Sequence, residues 1–178
     1  MICRRSSATV LVLLLSVTGC ARDSSEASTR TSSLEQGTPA AQVLTWPEAK
    51  ARTQAMEREI INSIPEDKVA EVDQMATGVL FDCGGSSVNW AGGATVVLSA
   101  GEEPELLVRS LEAKYQDSRF KIKTRDPAPA GDYEVQLRSR DTAEIYIMGE
   151  GTEPNTILIT SASECFEWPE GEYKGGDF

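Results

Sequence analysis

The sequence predicts an α+β domain: a mostly antiparallel sheet of about five or six strands, two helices packed on one face, and one disulfide. Three observations predict it. Tyr133, Val135 and Leu137 alternate strictly with Asp132, Glu134, Gln136 and Arg138, the period of a strand with one wet face. Two other stretches repeat their apolar residues every three or four positions, the period of a helix packed along one side. The later strand-like segments are separated by short connections containing Pro127, Pro129, Gly131, Ser139, Asp141, Gly149 and Gly151, which suit an antiparallel meander.

The first helix starts near Thr45. Thr45 and Glu48 stand at capping-box spacing, and Pro47 falls in the first turn, where a missing N–H costs nothing. Trp46, Ala49, Thr53, Met56 and Ile60 form its packed stripe, with Lys50, Arg52, Glu57 and Arg58 off that stripe, and Pro65 ends it. Gln74 to Asp82, where Met75, Thr77, Val79 and Phe81 alternate with other residues, and Ala94 to Ser99 read as two strands joined across a glycine-rich connection. The second helix runs from Pro104 to Gln116, with Leu107, Leu111 and Tyr115 on one stripe and acidic residues at its N-terminus; it should cross over the sheet. Strands follow at Phe120 to Thr124, Tyr133 to Leu137, Ala143 to Met148 and Thr156 to Ser161. The folded domain is expected over 43–170, with 171–178 a frayed tail apart from the pinning of its start by Trp168-Pro169.

The start of the chain has a different character. Arg4 and Arg5 precede an apolar stretch from Ala8 to Val17, followed by the small-residue end Val17-Thr18-Gly19-Cys20. That is the anatomy of a secretory signal, and about ten apolar residues are half of what a membrane-spanning helix needs. The residues before Cys20 resemble the bacterial lipobox. The resemblance implies cleavage of a signal peptide covering 1–19, diacylglycerol on the Cys20 sulfur and, often, acylation of the new amine; two chains anchor stably where one is marginal. The expected location is the extracytoplasmic face of the cell membrane. Residues 20–42, rich in Ser, Thr and Ala, read as the lipidated cysteine and a flexible tether, spanning about 25 Å on average.

Cys3 would leave with the leader and Cys20 would take the lipid. Cys83 and Cys165 then remain in a compartment that permits oxidation, as one disulfide or as two buried free thiols. A catalytic dithiol fits their spacing poorly, because redox pairs usually lie close together as Cys-x-x-Cys. Beyond the leader, Cys83, Trp90-Ala91-Gly92, an aliphatic strand, one helix and Cys165 loosely resemble the small uncharacterised lipoproteins of high-GC Gram-positive bacteria, over Leu80 to Phe166. That resemblance implies no catalytic residue.

The chain carries a net charge of −11 and no histidine. Strong acidity repels nucleic acid and anionic lipid heads, so no nucleic acid partner is expected. The lack of histidine excludes Ser-His-Asp and Cys-His nucleophiles and histidine-bearing zinc sites. Ser118-Arg119-Phe120-Lys121 has the Ser-x-x-Lys spacing of penicillin-binding enzymes but straddles a helix end and lacks the companion motifs. Glu164, Glu167, Glu170, Glu172 and Asp177 are clustered carboxylates without the spacing of a calcium loop, and read as a solvated acidic tail. Trp90, between two glycine pairs, is either an exposed binding platform or a core tryptophan. No catalytic residue, metal or cofactor is assigned.

The expectation is therefore a non-enzymatic binding module of the cell envelope, held to the membrane by covalent lipid and engaging another envelope protein or component through the sheet or the Cys83–Trp90 region. The alternative is a carrier of a lipid or other small apolar ligand in a helix–sheet cavity lined by Val96, Leu107, Leu111 and Val135. A third reading, an enzyme working with carboxylates alone, leaves its acid–base pair unassigned.

Overall fold

A computed structural model describes residues 43–126 and 132–178, all within one compact unit. The leader, Cys20 and the tether lie outside the described residues, as do Pro127, Pro129 and Gly131. Helix α1 spans Trp46–Ile61, and the Glu48 carboxylate accepts the Thr45 N–H at 3.0 Å and the Thr45 hydroxyl at 2.8 Å. Those bonds hold the Glu48 carboxyl below its ordinary value of 4.5. Helix α2 spans Pro104–Tyr115.

Eight strands follow in the order β1 (Val69–Gln74), β2 (Val79–Gly84), β3 (Ser87–Leu98), β4 (Phe120–Arg125), β5 (Glu134–Ser139), β6 (Ile145–Glu150), β7 (Thr156–Ala162) and β8 (Phe166–Glu167). They form one sheet ordered β1-β3-β7-β6-β5-β4, with β2 and β8 also paired to β3. Every pairing is antiparallel. The fold class is α+β as expected. Chain connection β3–α2–β4 carries the second helix across the sheet, because β7 returns to sit between β3 and β6. Both helices pack on one face: Met56 and Ile60 from α1 and Leu107, Val108 and Leu111 from α2 join Val96, Val135, Met148 and Ile159 in one buried cluster.

Several elements differ from expectation. The strand read from Gln74 to Asp82 begins only at Val79, as β2, and β1, VAEVDQ, which ends at Gln74, is unanticipated because it has no clean alternation to announce it. Trp90 to Gly93 is not a connection but the middle of β3, which runs twelve residues. Gly85 and Ser86 make the turn between β2 and β3, with Gly84 closing the ladder opposite Ser87 and both glycines at positive φ. The tail is not frayed at its end. Phe178 exchanges main-chain bonds with Gly78 (2.8 and 3.0 Å), its carbonyl accepts Trp90 Nε1–H at 3.2 Å and Lys50 Nζ–H at 3.1 Å, and its ring meets Trp46 and Trp168 edge-on.

Cys83 and Cys165 form the disulfide, with Cα atoms 6.3 Å apart and a separation of 82 positions in sequence. It ties the end of β2 to the turn between β7 and β8. Removing it by Cys83→Ala with Cys165→Ala should lower stability in urea unfolding by up to about 4–5 kcal/mol, the loop-closure entropy of so long a ring; an unchanged midpoint would contradict this role.

Trp90 fills a second, smaller cluster with Ala49, Val88, Phe166 and Trp168. Its indole occupies space that only glycine leaves open. A Cβ on Gly78 would lie 2.5 Å from the ring, and one on Gly92 would lie 2.2 Å from it. Gly92→Ala should therefore destabilise by about 1–3 kcal/mol and quench or shift the Trp90 emission; a variant as stable as the parent would count against this packing.

Glu57 of α1, expected off the packed stripe, is instead fully buried against the sheet, where it accepts the Ser161 hydroxyl and Gln74 Nε2–H, the latter at 2.6 Å. Ser161→Ala strips a buried carboxylate of one of these donors and should cost about 1–3 kcal/mol by thermal or urea unfolding.

Candidate functional site

The helices cover only one side of the sheet, so the other side is decided by strand register. In β3, Val88, Trp90, Ala94, Val96 and Leu98 point to the helices, and the odd-numbered residues point away. Antiparallel partners share a face, so pairing spreads that division over the whole sheet. Across one row of the open face stand Val79, Ala91, Ala162, Ile145, Arg138 and Lys121. The next row contains Gly93, Thr160, Ile147, Gln136 and Lys123, with Met75 beside Gly93.

Phe81, Met75 and Val79 are 59%, 52% and 46% exposed, although each is a large apolar side chain. Together with Leu158 they are four of the eight exposed large hydrophobic residues, which identifies a patch rather than scatter. Small residues on β3 and β7 (Ala91, Thr160 and Ala162) make a floor, and large ones on β2 and β6 (Val79, Phe81, Ile145 and Ile147) stand on either side. The result is a shallow open concavity of about 460 Å³. No titratable side chain lines it, so its chemistry is that of apolar contact rather than proton or group transfer.

The flanks are charged and differ in sign. Beyond β6, Lys121, Lys123 and Arg138 are exposed, and no ion pair among the described residues engages them. Arg125, on the same side, is neutralised by Glu134. On β1, Glu71 and Asp73 occupy the open face through their pairing with Val97 and Thr95.

The sequence-derived sites are distributed differently. Trp90 is 0% exposed, so the exposed-platform reading is corrected: it is a core side chain, placed inward by its parity with Val96. Cys83 and Cys165 form a structural bond at the surface. Val96, Leu107, Leu111 and Val135 belong to one buried cluster, between 0% and 6% exposed, and none lines a described concavity. The cavity required by the carrier reading is filled with side chains.

Ser118 and Lys121 are not brought together as a catalytic turn. The Ser118 hydroxyl donates to the Tyr115 carbonyl at 2.6 Å and accepts the Phe120 N–H at 3.2 Å, closing the end of α2, while Lys121 stands on the open face. In the acidic tail, Glu164 pairs with Arg52, and Glu167 accepts hydrogen bonds from Ser86 and Ser87. Among the described residues no group of three or more His, Cys, Asp or Glu side chains could hold a metal ion.

The open-face patch was missed because alternation identifies a strand without saying which of its two sides is buried. The signal that locates it is the hairpin. Gly84 pairs with Ser87 beside the turn, and a bulge at Cys83 then sets Asp82 opposite Val88 and Leu80 opposite Trp90, which turns Val79 and Phe81 outward. No protein-family model, characterised protein or solved structure matches the chain.

The Ser86 and Ser87 hydroxyls hold the Glu167 carboxyl below its ordinary value of 4.5. A carboxyl with a depressed folded-state pKa adds stability that is fully present above 4.5 and is lost as pH falls through its folded value. In Ser86→Ala with Ser87→Ala the Glu167 titration, followed by NMR, should move up toward 4.5, and the acid limb of unfolding should begin at higher pH; an unmoved titration would contradict these contacts.

Proposed function

We propose that this chain is a membrane-anchored extracytoplasmic lipoprotein whose folded domain is a non-enzymatic binding module, and that the open face of the sheet is its binding surface. The exposed apolar patch of Met75, Val79 and Phe81, beside the half-buried Ile147, carries this reading. A lone domain has no reason of stability to keep three such side chains in water, since polar residues at these outward positions would cost the core nothing. The anchor reading is supported by Arg4-Arg5, the apolar stretch Ala8 to Val17 and Val17-Thr18-Gly19-Cys20. The disulfide beside β2 restrains the strand that presents Val79 and Phe81, which lowers the ordering cost of a complex.

A photoreactive amino acid placed at Ile147 in the full chain should crosslink in cells to a specific envelope component. The same experiment with Phe81→Asp added should lose the adduct while leaving stability within about 0.5 kcal/mol, because Phe81 makes few buried contacts. An adduct that survives Phe81→Asp, or none above background, would refute this surface. Cys20→Ala should release the chain from membranes and remove the lipid mass from its N-terminal peptide.

A further inference from the structure

Resting on the open face as the binding surface, we infer that its occupant is an amphipathic helix with carboxylates along one flank, lying over β3 and β7 with that flank toward β4 and β5. Two independent features of the face point to this chemistry.

The first is shape. The floor of small residues is two strands wide, and the ridges on β2 and β6 lie three strand spacings apart, roughly 14 Å. A helix with its side chains is about 10–12 Å across and fits between them. An added lone strand laid on this face would leave its own main-chain N–H and C=O groups unpaired, whereas a helix brings them satisfied. The fold already seats a helix over these same strands on its other side, where α1 packs against β3 and β7.

The second is charge. Both rows of the open face run from an apolar side chain beside β3 to a cation at β4: Val79 of β2 to Arg138 and Lys121 in one, Met75 just after β1 to Lys123 in the other. In a chain of net charge −11, three exposed cations without a described carboxylate partner on one flank are a local reversal of sign. Charges act over about 8 Å in physiological salt, so a docked carboxylate beside Lys121, Lys123 and Arg138 responds to them rather than to the distant acidic surface. An all-apolar helix would leave those cations unused, and a basic one would be repelled.

The test uses the secreted chain, residues 20–178 with Cys20→Ser, and two labelled peptides of about eighteen residues. Both carry a leucine stripe at helical spacing; one has glutamates along one flank, the other lysines at the same positions. Anisotropy titrations should give at least about tenfold tighter binding of the glutamate peptide, weakening with salt. Lys121→Glu, Lys123→Glu and Arg138→Glu together should invert the preference, and Phe81→Asp should weaken both peptides. These four are exposed side chains, so each variant is expected to fold, with circular dichroism as the check. Equal binding of the two peptides, an unchanged preference in the triple variant, or no binding of the glutamate peptide would overturn the helix assignment. So would a dimer in sedimentation, or co-sedimentation with phosphatidylglycerol vesicles, that Phe81→Asp abolishes. In any of these cases a Phe81-dependent crosslink from Ile147 in cells would leave the binding surface standing with a different occupant; loss of that crosslink would remove the surface as well.

Discussion

Strand β3 is the constraint on which the other elements depend. Over twelve residues it pairs with β1 and β2 along one edge and with β7 and β8 along the other, so its side-chain parity is imposed on the sheet through every antiparallel pair. Trp90 fixes that parity. Its indole is a large, fully buried side chain, its N–H has a partner in the Phe178 carbonyl, and the glycines at 78 and 92 leave it the space it fills. With Trp90 inward, Val96 and Leu98 are inward and meet the helices, and Ala91 and Gly93 are outward. The exposure of Phe81 follows from the same parity, carried across the hairpin.

Stability is concentrated where the outward elements are tied back. The larger cluster holds both helices to the sheet through aliphatic contact, with Glu57 as a buried carboxylate satisfied by Ser161 and Gln74. The smaller cluster gathers the start of α1, the first half of β3, β8 and Phe178 around Trp90. The disulfide closes the same end of the sheet. Val79 and Phe81 therefore sit on a strand held by a hairpin, a covalent bond and the main-chain exchange between Gly78 and Phe178. Apolar side chains on so restrained a strand keep one geometry, which is what a recognition surface requires.

Helices were legible in the sequence because their signals are local: the capping arrangement of Thr45 and Glu48 and the stripes ending at Ile60 and Tyr115 lie within a few turns. The meander was legible from alternation and turn residues, and the disulfide from the elimination of Cys3 and Cys20. What was not legible is non-local. β1 has no alternation and exists because Val96 and Val97 offer it a ladder. The interior of β3 contains two glycines that suggest a turn, and only the bulk of Trp90 explains them as strand residues. Phe178 is a single aromatic side chain whose place depends on Trp46 and Trp168, more than a hundred residues apart from one another. The open-face patch required the hairpin register and the parity of Trp90 together, and neither strand's pattern contains both.

The sheet's two faces thus have different work. The covered face holds the fold together, and the open face, apolar at β2 and cationic at β4, is the proposed binding surface. Thiol labelling at Ile147→Cys tests that division most directly, comparing a membrane-impermeant maleimide in intact cells with the same reaction on the purified chain. The account predicts fast labelling of the purified chain and marked protection in cells, where the partner covers the face. Equal, fast labelling in both would mean that nothing occupies it, and slow labelling of the purified chain would mean that the face is not open at all.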